Sequence, residues 1–436
     1  MAPNIIYINS HDTGRYIQPH GYAVRTPNLQ RLAEQGVLFR KAFCAGPTCS
    51  PSRAGLVTGQ CAHSAGMLGL AHRGFGLADY GHHIVTTLKK AGYFTALVGR
   101  QHVALNEKVE LIGYDHVAAL GGKARDQHAQ VTAARELLAQ RRGNAQPFYL
   151  ELGFSATHRE FGYESTEDDP RYILPPACVA DTPQTRGDMA RYHASVRLLD
   201  EAIGQVLRAV DDNGLAASTL VIATTDHGIA FPGHKCNLTD HGIGVFLIMR
   251  GPGGFAGGKV VDAMVSQVDL FPTICDVAGI ERPAWLEGFS MLPLATGGAD
   301  AIRQEVFAEV TYHAACEPQR CVRTDRWKYI RRYDNRPHPI LPNCDDSASK
   351  DLWLNSGWRS AAPDTEQLYD LHLDPNEARN LAAGETHSAV LADMRARLDA
   401  WMARTNDPLL KGTPIVAGAS VNDPDGLSPS EPMTRL

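Results

Sequence analysis

Five short apolar runs, each of strand length and most of them spilling into charged or imidazole side chains, constrain this chain more than any other feature. The first, Asn4-Ile5-Ile6-Tyr7-Ile8-Asn9, leads into His11 and Asp12. The others are 93–98, which delivers Arg100 and His102; 148–154, followed by His158; 219–225, which delivers Asp226 and His227; and 245–249. Near-continuous apolar runs of this length suit strands covered on both faces of a parallel sheet. Between them lie helix-like stretches. One has Thr26 as cap and Pro27 at its first position, with Gly36 as its stop. Others are predicted over 82–92, from about Gly187 to Asn213, and from Gln267 to Gly279. The class is therefore α/β. In open sheets of this class, residues far apart in sequence meet at the carboxyl edge of the strands.

A chain of 436 residues exceeds one compact core, so two domains are expected. The rhythm changes near residue 302. Beyond it come short alternating strands (305–310, 327–331, 366–371), a polar loop over 335–365, a helix from about His387 to Arg404, and a Pro- and Gly-rich tail with little to fold around. The division expected is an α/β domain over 1–302 and a smaller α+β domain over 303–436. A formal net charge of -6 with no basic block argues against a nucleic-acid partner, and no apolar run is long enough to cross a bilayer. The N-terminus carries no recognisable signal peptide, which points to the cytoplasm. Nine scattered cysteines without C-x-x-C spacing argue against a zinc site or a dense disulfide framework.

The most specific chemistry lies at Cys49-Ser50-Pro51-Ser52-Arg53, which opens a predicted helix and continues to Leu56-Val57-Thr58-Gly59. A thiol at a helix start should be polarised, and Arg53, one turn on, can neutralise an oxyanion beside it. This Cys-x-Pro-x-Arg segment resembles the active-site signature of the type I sulfatases, members of the alkaline-phosphatase superfamily. Further matches follow in the same order. They are Thr26-Pro27-Asn28-Leu29, then Gly99-Arg100-Gln101-His102 (where the family has Lys at position 100), Asp226-His227 with Lys235, and Glu366 to Glu377. Short segments around Glu309-Val310-Thr311-Tyr312, Arg320-Cys321-Val322-Arg323 and Trp401 to Pro408 are similar to the sulfamate-cleaving branch.

That resemblance implies a large mixed, mostly parallel sheet flanked by helices and a smaller C-terminal domain. It implies that Cys49 is oxidised to formylglycine by a formylglycine-generating enzyme, and that the aldehyde hydrate is the nucleophile. His11, Asp12, Asp226, His227 and residue 49 would hold one divalent cation: calcium by family, with manganese or magnesium next. His11 departs from the paired Asp usual there. Arg53 would stabilise the nucleophile, and Arg100 and Lys235 would bind sulfate oxygens. His158 would act as acid and His102 as base, two roles that could be exchanged. The implied reaction is hydrolysis of a sulfate ester or sulfamate on a small substrate such as a sulfated sugar, by a chain compatible with homo-oligomerisation. Two alternatives use the same scaffold: a phosphonate monoester or phosphodiester hydrolase, and a catalytically silent binding protein.

Overall fold

The computed structural model describes residues 2–120, 127–161 and 165–436. Its centre is a nine-stranded sheet made of β1 (Asn4–Ser10), β2 (Val37–Phe43), β3 (Phe94–Gly99), β4 (His116–Ala118), β5 (Phe148–Gly153), β6 (Thr219–Thr225), β7 (Gly244–Val245), β8 (Leu247–Arg250) and β9 (Lys259–Ser266). The spatial order is β4-β3-β5-β1-β6-β8-β2-β7, with β9 on β2. From β4 to β6 every pairing is parallel; β8 runs antiparallel to both β6 and β2. The sheet is therefore mixed but mostly parallel, as expected.

The two faces of the sheet carry separate cores. Along β1, Ile5 and Tyr7 point into one and Ile6 and Ile8 into the other, as the two-residue period of a strand requires. The helices are α1 (Pro27–Gln35), α2 (Cys49–Thr58), α3 (Ile84–Lys90), α4 (His128–Arg141), α5 (Pro183–Asp212), α6 (Asp240–Ile243), α7 (Leu270–Ala278), α8 (Leu292–Thr296), α9 (Ala348–Asn355) and α10 (Ser388–Arg404). Helices α1, α4 and α5 cover the face of Ile6 and Ile8, whereas α2, α3 and α7 cover that of Ile5 and Tyr7. Helix α5 begins four residues before the expected start, because Thr182 and Thr185 form a reciprocal cap around Pro183. Helix α4 and the edge strand β9 are additions to the expected set. Helix α4 places small and polar residues around a narrow stripe of Val131, Ala134, Leu137 and Leu138, which gives it little periodic signal.

A second sheet of four antiparallel strands follows: β10 (Glu305–Tyr312), β11 (Cys316–Thr324), β12 (Trp327–Arg332) and β13 (Glu366–Asp370). Val306, Ala308, Val310 and Tyr312 of β10 join the core on the α2 side of the large sheet. Helix α10 covers the other face through Leu391, Met394, Leu398 and Trp401. Two expectations fail here. The stretch read as loop contains α9, whose start is capped by Ser347, and Lys350 is buried there with its ammonium on the carbonyls of Cys344 and Leu427. The tail is also ordered. In it β14 (Ser420–Asn422) pairs with β15 (Met433–Arg435), and Ala419 and Val421 enter the core. In both places backbone and side-chain hydrogen bonds to distant segments supply what local apolar periodicity does not.

The small sheet is tied to the large one by a buried ionic cluster. His63, just beyond α2, donates from Nδ1 to Glu309 of β10 at 2.9 Å; Arg320 lies 3.2 Å from Glu309 and forms a forked pair with Asp407. Burial opposes ionisation of Glu309, but His63 and Arg320 outweigh it and hold its carboxyl at about 2. Burial likewise disfavours His63 as a cation, yet Glu309 raises its pKa above the ordinary imidazole value. The acid-side contribution of Glu309 is present above the ordinary carboxylate range and lost as pH falls toward 2. That of His63 is full below its ordinary value and lost as pH rises through its raised one. Stability should therefore be greatest in the mildly acidic to neutral range. Glu309→Gln should cost about 3–5 kcal/mol, because it leaves Arg320 buried with one partner fewer. It should also flatten the loss of stability below the ordinary Glu pKa, as read by urea unfolding across a pH series.

Candidate active site

Four adjacent parallel strands end at one edge, in register. Ser10 of β1 pairs with Thr225 of β6, Asn9 with Gly153 of β5, and Gly153 with Gly99 of β3. The residues that follow each strand (His11 and Asp12, Asp226 and His227, Arg100 and His102, His158) are thus delivered to one place. Helix α2 starts over the same edge with Cys49 at its first position. Pro51 is at the third position of the helix, and the first turn closes with Ser52 N–H donating to the Thr48 carbonyl at 2.9 Å. The backbone N–H of Cys236 donates to the Pro47 carbonyl at 2.8 Å, which ties the loop before Cys49 to the loop that carries Lys235.

Asp226 organises the centre. Its Oδ1 accepts from the backbone N–H of Asp12 at 2.8 Å and from that of His227 at 3.0 Å, and its Oδ2 takes Arg53 at 3.2 Å. Asp12 sits in the left-handed region, with φ of 52°, an uncommon setting for a side-chain-bearing residue. It is held there by the bond from Asp226, by Thr13 N–H donating to Thr225 Oγ1 at 3.0 Å, and by Thr157 Oγ1, which donates to the His11 and Asp12 carbonyls. Conformations of this kind persist where the surroundings over-determine them, and they cluster at functional sites.

One ligand atom each from His11, Asp12, Cys49 and Asp226 lies within 4.8 Å of the other three. His227 joins them: its Nε2 is 3.4 Å from Asp12 Oδ1 and 3.5 Å from Cys49 Sγ. Its Nδ1 donates to the Gly228 carbonyl at 2.9 Å, which leaves Nε2 with a lone pair facing the cluster, the arrangement usual for a metal-binding imidazole. His11 is 1% exposed, and neither ring nitrogen makes a hydrogen bond; Asp12 Oδ1 is also without one. Two buried carboxylates, two imidazoles with available nitrogens and an unpartnered carboxylate oxygen form a donor set that fits a divalent cation.

Cations stand beside these carboxylates. Lys235 Nζ lies 3.2 Å from Asp12 Oδ2 and 3.0 Å from Asp345 Oδ2. Burial would favour the neutral amine, but Asp12 and Asp345 raise its pKa well above the ordinary value. Burial also opposes ionisation of Asp226, yet His227, His11 and Arg53 hold it at about 2. Arg100 lies within electrostatic reach of Arg53 and Cys49, its pKa lowered by burial and then by Arg53. The thiol departs from expectation. Cys49 is 2% exposed, and burial pushes its pKa far up, more than Lys235 and Arg53 pull it down. The helix start and the neighbouring cations do not make it a thiolate.

The imidazoles form a wall. The His11 ring is 5.4 Å from His102 and 5.3 Å from His158, and His102 stacks on His72 at 5.5 Å. Burial lowers the His102 pKa well below the usual value, and His11, Arg53 and Arg100 lower it further. His158 Nδ1 donates to the Arg159 carbonyl, which leaves Nε2 as its exchangeable nitrogen. The sequence analysis missed three residues. His72, whose Nδ1 is 3.3 Å from His102 Nε2, lies in a turn without a strand to announce it. Asp345 lies within the stretch read as surface loop. His313 follows β10 directly and faces Lys235 and Asp345 electrostatically. The strand-end rule that found the others would have found His313, had it been applied to the second sheet.

Comparisons with known proteins show the family. The sulfatase family model matches residues 3–280, and the model of the N-sulphoglucosamine sulphohydrolase C-terminal region matches 234–341. The chain belongs to the sulfatase family of hydrolases. Among its relatives, N-sulphoglucosamine sulphohydrolase of Homo sapiens is 30% identical over 440 residues, covering 88% of this chain and 87% of the relative. Arylsulfatase A of Homo sapiens is 27% identical over 483 residues, covering 94% and 92%. The solved structure of a 2-O GAG sulfatase superposes with a TM-score of 0.73 at 22% identity, over 94% of each chain, and shares the fold.

The close approach that seats Arg100 gives a direct check. A Cβ at Gly153 would lie 1.8 Å from the Arg100 carbonyl oxygen, so any side chain there must push β3 and its Arg100 away from β5. Gly153→Ala should cost about 1–3 kcal/mol of stability by thermal or urea unfolding. It should weaken binding of an oxyanion such as sulfate at the site as well.

Proposed function

We propose that the protein hydrolyses a sulfate ester or sulfamate on a small sulfated sugar, with Cys49 converted to formylglycine and a divalent cation held by His11, Asp12, Asp226, His227 and residue 49. The observation that carries this reading is that Arg53, Arg100 and Lys235 all act electrostatically on residue 49, beside two buried carboxylates, on a sulfatase fold. It draws also on the human relative whose name specifies an N-sulphated glucosamine, and on a fold neighbour solved with its substrate D-glucosamine-2-N,6-O-disulfate at a TM-score of 0.69.

The aldehyde hydrate supplies two hydroxyls on one carbon, one to attack sulfur and one through which sulfate can later be expelled. The cation, when bound, supplies Lewis acidity that favours the ionised form of the attacking hydroxyl. The protein's own groups do the rest. Arg53, fixed by Asp226 and by the Ser10 carbonyl at 3.2 Å, keeps positive charge beside residue 49. Arg100 and Lys235 receive the sulfate oxygens and oppose the charge that builds on them. His158, with Nδ1 committed to a backbone carbonyl, can pass a proton from Nε2 to the departing oxygen or nitrogen. His102, held neutral by its surroundings, is suited to take one up. Stacking on His72 fixes the plane of the His102 ring.

The Asp226-His227 pair also suits a phosphonate monoester or phosphodiester hydrolase, so the test sets these substrates side by side. Intact-mass analysis of protein from a host that carries the converting enzyme should read about 18 Da below the unmodified chain, the change from CH2SH to CHO. Sulfate release from N- and O-sulfated glucosamine should exceed turnover of an aryl phosphonate. Lys235→Ala should lower kcat/KM by roughly 10²–10³-fold. Faster phosphonate turnover, or full-mass Cys49 in that host with no turnover of any substrate, would overturn the proposal.

A further inference from the structure

We infer that the centre is built for a nitrogen-accepting first-row divalent ion such as Mn2+ in preference to Ca2+, and that His11 is the residue that sets this preference. The inference rests on the proposed reading only in taking these residues as a cation site; it does not depend on which ester is cleaved.

The argument begins with donor count. Calcium takes six to eight oxygen ligands and gains affinity with the number of ligand charges. Here the converging side chains are two carboxylates, two imidazoles and residue 49. Each carboxylate already has a cation beside it: Arg53 lies 3.2 Å from Asp226 Oδ2, and Lys235, shared with Asp345, lies 3.2 Å from Asp12 Oδ2. These neighbouring cations offset part of the long-range attraction on which a hard cation depends. What remains is the bonding offered by nitrogen. Imidazole suits later first-row ions such as Fe2+ and Zn2+ and is a poor donor for Ca2+; Mn2+ shares the taste of Ca2+ for carboxylate but stands at the foot of the first-row series and accepts nitrogen more readily.

The position of His11 turns this count into geometry. Its Nδ1 is 3.1 Å from Asp226 Oδ2 and 3.5 Å from Asp12 Oδ1, inside the cluster rather than beside it. The ring is sealed from solvent, and no hydrogen bond occupies either nitrogen. A buried imidazole in that state lacks the partner that burial normally demands. A coordinated ion would supply it. His11 is pinned through its backbone, its N–H donating to the Ala156 carbonyl at 2.9 Å and its carbonyl accepting from Thr157. With the backbone fixed, and the ring packed 5.4 Å from that of His102 and 5.3 Å from that of His158, the imidazole is kept beside the carboxylates. His227 supplies the second nitrogen, oriented by the Gly228 carbonyl.

The test uses the full-length protein stripped with a chelator, one batch for all ions, with the state of position 49 read by mass. Titration calorimetry with Mn2+ and with Ca2+ should give Mn2+ the tighter site by at least about tenfold, and His11→Asp should tighten Ca2+ by about tenfold while narrowing that gap. Electron spin-echo spectra of the Mn2+ form should contain couplings from two imidazole nitrogens, and His11→Asn should lose one. Equal or tighter Ca2+ binding by the unaltered protein, a single imidazole coupling in its Mn2+ spectrum, or no ion binding at all would overturn the inference. Should the variants fail to fold, the two affinities and the spectrum of the unaltered protein still decide. Selective Mn2+ binding without sulfate release would sink the proposed reaction and leave this inference standing. Sulfate release by a centre that prefers Ca2+ would do the reverse.

Discussion

The carboxylate of Asp226 is the contact on which the rest of the centre depends. It lies just past the end of a fully buried strand, and it touches two other parts of the chain: the loop after β1, through the Asp12 backbone and the His11 ring, and Arg53 one turn into α2. Each contact has a different consequence. The bond to Asp12 N–H keeps that residue in a left-handed conformation and so aims its side chain at Lys235. The pair with Arg53 sets the rotation of α2, and with it the direction of residue 49. A buried charge is tolerable only with such partners. The local electrostatics and the local backbone geometry are therefore one requirement, met by parallel pairing of β1 and β6 in a single register.

The second sheet is part of this arrangement. Strand β10 packs against the core beneath α2, and its end delivers His313; the segment before α9 delivers Asp345 to Lys235. Lys235 thus stands between a carboxylate from each half of the chain. At the far end of α2, His63, Glu309, Arg320 and Asp407 join the same two halves through buried charge. Buried ionic contacts therefore lie near both ends of α2: Arg53 on Asp226 one turn into it, and the His63 cluster just past its last residue.

Much of this was legible in the sequence because strand ends and site coincide. Runs such as 4–9 and 219–225 can be read as buried strands, and the polar residues after them have few reasons to follow such runs except turn chemistry or function. That logic located His11, Asp12, Arg100, His102, His158, Asp226 and His227. It failed where position is set by distant contacts. Asp345 lies in a polar stretch that turns into structure only because Ser347 caps α9 and Lys350 finds two carbonyls. His72 matters only through a ring thirty positions away. The reactivity of Cys49 was misread for a related reason: a helix start and nearby cations lower a thiol pKa in partial exposure, but burial reverses the balance here.

That reversal bears on why a thiol would be a poor end point at position 49. A neutral sulfur, with His227 Nε2 at 3.5 Å and the two carboxylates close by, gains little from the cations around it and is a weak nucleophile toward an anion. The same surroundings suit an oxygen group. Arg53 and Arg100 offer donors that an oxyanion can use more fully than sulfur can, and the imidazoles and carboxylates converge on the volume where a hydrated carbonyl carbon would stand. Under the proposed function, this donor set is better matched to an oxidised side chain than to the cysteine from which that side chain would be made.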